Sequence, residues 1–193
     1  MLFNSWEFIC LFVITCVIYF NIPHKFRALL LLISSYVFYI FWRWDFALIM
    51  LAVSLINYYG GLKIHHSKTT RKKQYYLWFA IVSSLIPLLY LKYANFFIVN
   101  INNVSNVFGA NSSYSALNVI LPVGISFFTF QALSYSLDVF YEKTKVEENV
   151  INFTVFVAFF PQLVAGPIER SSNLLKQFRD RHSFNRLNFI DGS

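Results

Sequence analysis

The stretch from Leu121 to Arg170 constrains this chain more than any other, because polar side chains and helix breakers stand there inside strongly apolar sequence. Gln131, Ser134, Tyr135 and Asp138 share one apolar run, and Pro161, Gly166 and Pro167 interrupt the next. Placing a lone amide or carboxylate in hydrocarbon is costly. These groups therefore call for an interior lined by protein or water. The rest of the chain shows what surrounds that interior: 57% of residues are hydrophobic, 20% aromatic and only 13% charged. A soluble domain carries about 25% charged residues. A soluble fold would have to cover several all-apolar helices on every side, and 193 residues cannot do that. The expected fold is all-α and polytopic, a single membrane domain over 1–193.

The net charge of +7 does not point to nucleic acid. Basic residues cluster in short stretches between apolar runs, as topology signals do. Between Tyr93 and Glu142 there is no Lys or Arg. Aromatics lie inside the apolar runs, away from the basic ones, so base stacking is not indicated. Cys10 and Cys16 both fall in the first apolar run and read as small apolar residues of a span. No cysteine–histidine spacing suggests a zinc site. Glu7 stands where a signal peptide would carry lysine, so the first run is expected to be retained.

In order, the first span is expected over about Trp6–Phe20, with Pro23 in the basic turn that follows. The second runs over about Ala28–Phe41 and the third over about Phe46–Tyr59, ending at Gly60-Gly61. Lys63, Lys68, Arg71, Lys72 and Lys73 make the next loop the most basic, hence cytoplasmic. The fourth span is expected over about Tyr75–Leu91, kinked at Pro87, with an external asparagine-rich loop from Asn95 to Asn118. The fifth covers about Val119–Tyr141. Residues 151–165 are apolar but short, and both flanks are basic. A crossing needs about 20 residues, so this segment reads as re-entrant or half-membrane rather than as a full span. Ser171–Arg186 reads as an interfacial amphipathic helix, with Leu174, Leu175 and Phe178 on one face.

Two blocks carry a resemblance to a known family. One is Leu121-Pro-Val-Gly-Ile-Ser-Phe-Phe-Thr-Phe-Gln131 with Ser134, Tyr135 and Asp138, and the other is Phe159-Phe-Pro-Gln-Leu-Val-Ala-Gly-Pro-Ile-Glu-Arg170. Weaker echoes are Phe3-Asn4-Ser5, Ser34-Ser35-Tyr36 with Tyr39 and Trp42, and Asn57-Tyr58. Together these resemble the membrane-bound O-acyltransferases, and within them the alginate-acetylase branch more than the D-alanyl branch. The resemblance implies a cup of membrane helices around a tunnel. It implies an acyl group taken from a cytoplasmic thioester, acetyl-CoA or an acyl carrier, with no bound cofactor. The group passes toward a polysaccharide such as alginate, often through an extracytoplasmic partner protein. It also implies a bacterial inner-membrane location, with membrane lipid around the helices. The chain is about half the length expected of the family, so it reads as an N-terminal portion. The catalytic histidine is expected beyond Ser193, leaving no catalytic or metal-binding residue here. His24, His65, His66 and His182 lie in basic or amphipathic segments and read as solvated.

Gln131, Tyr135 and Asp138 are spaced four and then three apart, which puts them on one helical face. That face is a candidate tunnel wall. Gln131 is expected to make an interior hydrogen bond, and Asp138 either lines the tunnel or pairs near the membrane surface, for instance with Lys143. Pro161, Gln162, Gly166 and Pro167 would shape the donor mouth. Glu169 and Arg170 follow at once, and Arg170 would meet either a donor phosphate or an internal carboxylate or lipid headgroup. Ser126 and Ser134 lack a histidine–carboxylate partner, so a serine nucleophile is not supported. The rival reading is a non-enzymatic scaffold or transporter component, which broken membrane helices would also suit.

Overall fold

The computed structural model describes residues 5–41, 43–107, 115, 117, 122, 124–163, 166 and 169–180. The described residues form seven helices and no strand: α1 (Trp6–Asn21), α2 (His24–Ile40), α3 (Trp44–His66), α4 (Thr70–Val107), α5 (Ile125–Phe140), α6 (Val150–Ala158) and α7 (Ser171–Arg179).

Local chemistry sets several of the helix ends. Ser5 caps α1 by accepting from the Phe8 N–H at 3.3 Å, and Glu7 favours the positive end of the helix dipole. Arg43 precedes α3 and donates to both oxygens of Asp45 at 3.0 and 2.7 Å, which pins the α2–α3 turn. Asn149 caps α6 through its side-chain oxygen, which accepts from Ile151 and Asn152. α5 begins after Gly124 at φ 74°, a left-handed conformation that glycine alone adopts without penalty.

α3 is the central post and packs against α2, α4, α5 and α6. Its buried residues Met50, Val53 and Ile64 meet a core that includes Phe128, Tyr135, Phe153 and Phe156. Polar residues lie inside with them. Ser54, Asn57, Ser84, Thr129 and Ser136 are wholly buried. Large apolar side chains face outward instead: Ile9, Val13 and Val17 on α1, and Trp78, Val82, Ile86 and Phe97 on α4. In water such a surface would drive aggregation. In a bilayer it is the stable arrangement, because lipid covers apolar side chains and hydrogen bonds inside satisfy the polar ones.

Two helices have the length and hydropathy to cross a membrane, residues Trp44–His66 and Thr70–Asn106. α1, α2 and α5 have 16, 17 and 16 residues, just short of a straight crossing. α6 has nine residues and gives way to turn-like backbone that buries Phe160 and Leu163 in protein. α6 is therefore shorter than a crossing.

The structure corrects the sequence reading in two places. Gly60 and Gly61 do not end a helix; α3 runs through them to His66. Residues Asn95–Val107 are not a loop but the last third of α4, a helix of 38 residues. The asparagines there are interleaved with Phe96, Phe97, Ile98, Val99, Ile101 and Val104, and no proline or glycine interrupts them between Pro87 and Gly109. Helix α7 ends at Arg179, and the expected continuation to Arg186, with His182, lies outside the described residues.

Candidate functional site

The two sequence blocks meet in space. The first supplies α5 and the Gly124 turn before it. The second supplies the turn after α6 and the start of α7. A Cβ on Gly124 would stand 2.7 Å from the Leu163 carbonyl oxygen, so only glycine lets these two segments touch. Two helical turns further along, buried Gln131 donates from Nε2 to the Phe156 carbonyl at 2.6 Å. That carbonyl sits where α6 is about to end and has no complete helical ladder ahead of it.

Gln131, Tyr135 and Asp138 do share a face of α5, and each reaches a different neighbour. The Tyr135 hydroxyl accepts from the Glu147 backbone N–H at 2.9 Å, and its ring lies 4.6 Å from that of Phe153. Asp138 accepts from the Ser171 hydroxyl at 3.0 Å, which ties the start of α7 to α5. Its partner is thus Ser171, while Lys143 meets Asp138 only through a backbone hydrogen bond. The Gln131 side-chain oxygen and the Thr129 hydroxyl are buried and make no hydrogen bond among the described residues.

The remaining candidates lie around the turn. Pro161 lines an apolar cavity of about 250 Å³ with Thr15 and Cys16 of α1, Leu31 of α2 and Leu174 of α7. Gln162 is buried, and its carbonyl accepts from the Gly166 N–H at 2.9 Å. A side chain at Gly166 would collide with Gln162. Pro167 lies outside the described residues. Glu169 is half-buried, and Arg170 is exposed at the N-terminal boundary of α7. Neither forms an ion pair among the described residues. His24, His65 and His66 sit at helix ends: His24 Nε2 lies 3.0 Å from the Asp180 carbonyl, and His66 Nδ1 lies 2.8 Å from that of Leu62. The Ser134 hydroxyl donates within its own helix to the Gln131 carbonyl at 2.8 Å.

Sequence reasoning missed two features that hold this region. The first joins three helices through buried side chains. Asn57 of α3 donates to the Ser84 hydroxyl of α4 at 2.7 Å, and its carbonyl oxygen accepts from Ser136 of α5 at 2.7 Å. The second is a buried carboxylate, Glu147, in the link between α5 and α6. Its Oε2 binds the Arg179 guanidinium through both Nε and a terminal nitrogen, and its Oε1 accepts from the Asn149 N–H at 3.0 Å. Only serine or asparagine within an apolar run hints at the first. Nothing in the local sequence separates Glu147 from its neighbour Glu148.

An all-helical membrane protein with a buried polar interior is the class that this architecture defines. No family model matches the chain, and no solved structure matches it. Curated relatives do. The chain is 41% identical over 183 residues to a protein named probable alginate O-acetylase from Pseudomonas aeruginosa, covering 94% of this chain and 35% of that protein. It is 39% identical over the same span to the protein of that name from Azotobacter vinelandii, covering 36% of it. It is also 30% identical to the peptidoglycan O-acetyltransferase of Helicobacter pylori, over 82% of this chain and 34% of that protein. The chain is homologous to these O-acetylases, and the expected alginate-acetylase branch is where the similarity is found. It spans about a third of their length, less than the expected half.

Proposed function

We propose that this chain is part of a membrane-bound O-acyltransferase that moves an acetyl group from a cytoplasmic thioester toward hydroxyls of an extracytoplasmic polysaccharide. One observation carries the reading. The two sequence blocks that carry the family resemblance are packed together, through Gln131 on the Phe156 carbonyl and Gly124 on Leu163. A buried amide held on the last turn of a short helix belongs to a protein-lined interior, which is what a tunnel wall requires. The relatives' names add the acceptor class, since alginate and peptidoglycan are both carbohydrate polymers with free hydroxyls.

In this reading Gln131, Tyr135 and Asp138 form tunnel wall, fixing α5 against α6, the 141–149 link and α7. Pro161, Gln162 and Gly166 shape the donor's mouth. Arg170, exposed beside that mouth, is suited to a donor phosphate, with Glu169 next to it. The chemistry forms a C–O bond between an acceptor hydroxyl and the thioester carbonyl carbon and breaks the C–S bond. A histidine base takes the hydroxyl proton, which ends on the departing thiol. That histidine would lie in sequence additional to these residues, as would much of the tunnel. The donor is acetyl-CoA or an acyl carrier, the membrane is the bacterial inner membrane, and a separate extracytoplasmic acyltransferase completes the transfer to the glycan.

The test is acetyl transfer in membranes by the protein carrying its full reading frame, followed with isotope-labelled acetyl donor. The expected result is label in polysaccharide ester that disappears when the membrane-embedded histidine is replaced. Ester formation indifferent to every histidine would sink the reading.

A further inference from the structure

Helices α3 and α4 run side by side and leave a groove of about 400 Å³ on their lipid-facing side. Gly60 makes this possible. It is buried, and a Cβ there would stand 3.3 Å from that of Ala80, so the helices approach closely at that level. Its lining changes along its length. Leu55 and Ile56 of α3 line its deep end, and Tyr59, Phe79 of α4 and Lys63 follow toward Tyr76 and Tyr75 at the outer end. At 1.5 Å per residue, Leu55 to Lys63 spans about 12 Å, close to the roughly 15 Å of one hydrocarbon leaflet. Lys72 precedes Tyr75 and Tyr76 by three and four residues, so it continues the same face of α4 beyond the tyrosines.

The charge at that end is unbalanced. Lys63, Lys68, Arg71, Lys72 and Lys73 fall within eleven residues that contain no acid. Lys73 is paired, with Glu142 at 2.9 Å. Lys63 and Lys72 are exposed and form no ion pair among the described residues.

We propose that this groove binds an anionic phospholipid, with an acyl chain against Leu55, Ile56 and Phe79 and the phosphate between Lys63 and Lys72. The mix of chemistries decides the occupant. Aliphatic side chains at one end, and aromatic rings with lysines at the other, match the acyl chain and the phosphate-bearing interface of a phospholipid. An acidic soluble protein would meet the lysines and leave the apolar length empty. A zwitterionic lipid would fill the groove without answering the excess positive charge.

The experiment is native mass spectrometry of the purified chain in neutral detergent, offered equal amounts of dioleoyl phosphatidylglycerol and dioleoyl phosphatidylcholine. The wild type is expected to retain the anionic lipid at least about fivefold better. Replacing Lys63→Gln together with Lys72→Gln should bring the two lipids level. Ile56→Trp, which fills the groove without changing charge, should lower retention of both. Lys92→Gln with Lys143→Gln, the same loss of charge elsewhere, should leave the preference intact. Glycerol phosphate, the headgroup chemistry without chains, should not displace the lipid. Equal retention in the wild type overturns the proposal. So does an equal loss in the Lys92/Lys143 control, or displacement by glycerol phosphate.

Discussion

Gly61 and Tyr135 are in contact so close that a Cβ on Gly61 would stand 2.6 Å from Cε1 of the tyrosine ring. The edge of the ring fills the space the glycine leaves, and its hydroxyl accepts from the Glu147 N–H at 2.9 Å. Gly61→Ala should therefore destabilise the protein by about 1–3 kcal/mol, as overpacked cores do. Tyr135→Leu, which removes the ring edge, should tolerate the alanine better than the wild type does. Thermal melts of the two single variants and the double variant in detergent would show it. Strict additivity would mean that the two residues are not coupled.

The knot of Asn57, Ser84 and Ser136 predicts unequal losses. Asn57 makes three hydrogen bonds, to Val53, Ser84 and Ser136. Each serine contributes one of the two that cross between helices. Interhelical hydrogen bonds in membranes average about 0.6 kcal/mol. Ser84→Ala and Ser136→Ala should each cost about that much, and Asn57→Ala roughly 2 kcal/mol, since it strands both hydroxyls. Unfolding in graded denaturing detergent ranks the three variants; a serine variant as damaging as the asparagine one would contradict the shared role.

The Glu147–Arg179 pair should break asymmetrically. The carboxylate side chain is 5% exposed and the guanidinium 44%. Arg179→Ala leaves a buried charge without its partner, a loss of about 3 kcal/mol or more. Glu147→Gln leaves an arginine that can turn to water, and should cost less. Hydrogen exchange over residues 171–179 is the readout, and faster exchange in the arginine variant is the expected result. The reverse order would mean that α7 is held by Phe178 and Ser171 rather than by this pair.

The Lys73–Glu142 bridge gives a pH signature. The hydrogen bond from Lys73, and then its charge, hold the Glu142 carboxyl below its ordinary range. A carboxyl depressed in the folded state stabilises above its unfolded value, and the contribution disappears as pH falls through the lowered one. The melting temperatures of wild type and Glu142→Gln should therefore differ slightly at neutral pH and converge as the pH falls below the ordinary carboxylate range. Because the glutamate is exposed, salt near 1 M should also close the gap. A difference that persists at low pH would have another origin.

α4 makes the topology testable. Lys68 precedes the helix, and Asn100 lies near its far end. Lys68→Cys and Asn100→Cys should react with a membrane-impermeant maleimide from opposite sides of sealed vesicles, the first from the cytoplasmic side. Labelling of both from one side would overturn the crossing by α4.

The sequence shows the parts of this molecule that are local. The spacing of Gln131, Tyr135 and Asp138 puts them on one face, and the short, proline-broken run after Val150 reads as less than a crossing. Their partners are not local. Phe156, Glu147 and Ser171 lie 25, 12 and 33 positions away, and no pattern within α5 announces them. The Gly60-Gly61 error has a physical cause: membrane helices carry glycine inside them wherever a neighbour must come close. Asn95 to Val107 is helical for the opposite reason, because the aromatic and branched residues between the asparagines outweigh the turn preference of asparagine.

The length of α4 has a mechanical consequence. Its 38 residues rise about 57 Å at 1.5 Å each. To hide that length within a hydrocarbon layer about 30 Å thick the helix would have to lean nearly 60°, well past the 0–40° that membrane helices adopt. Part of it must therefore stand clear of the bilayer. Ser84 ties the helix to Asn57 of α3, and through Asn57 to Ser136 of α5, so a change in the tilt of α4 is felt at the centre of the bundle.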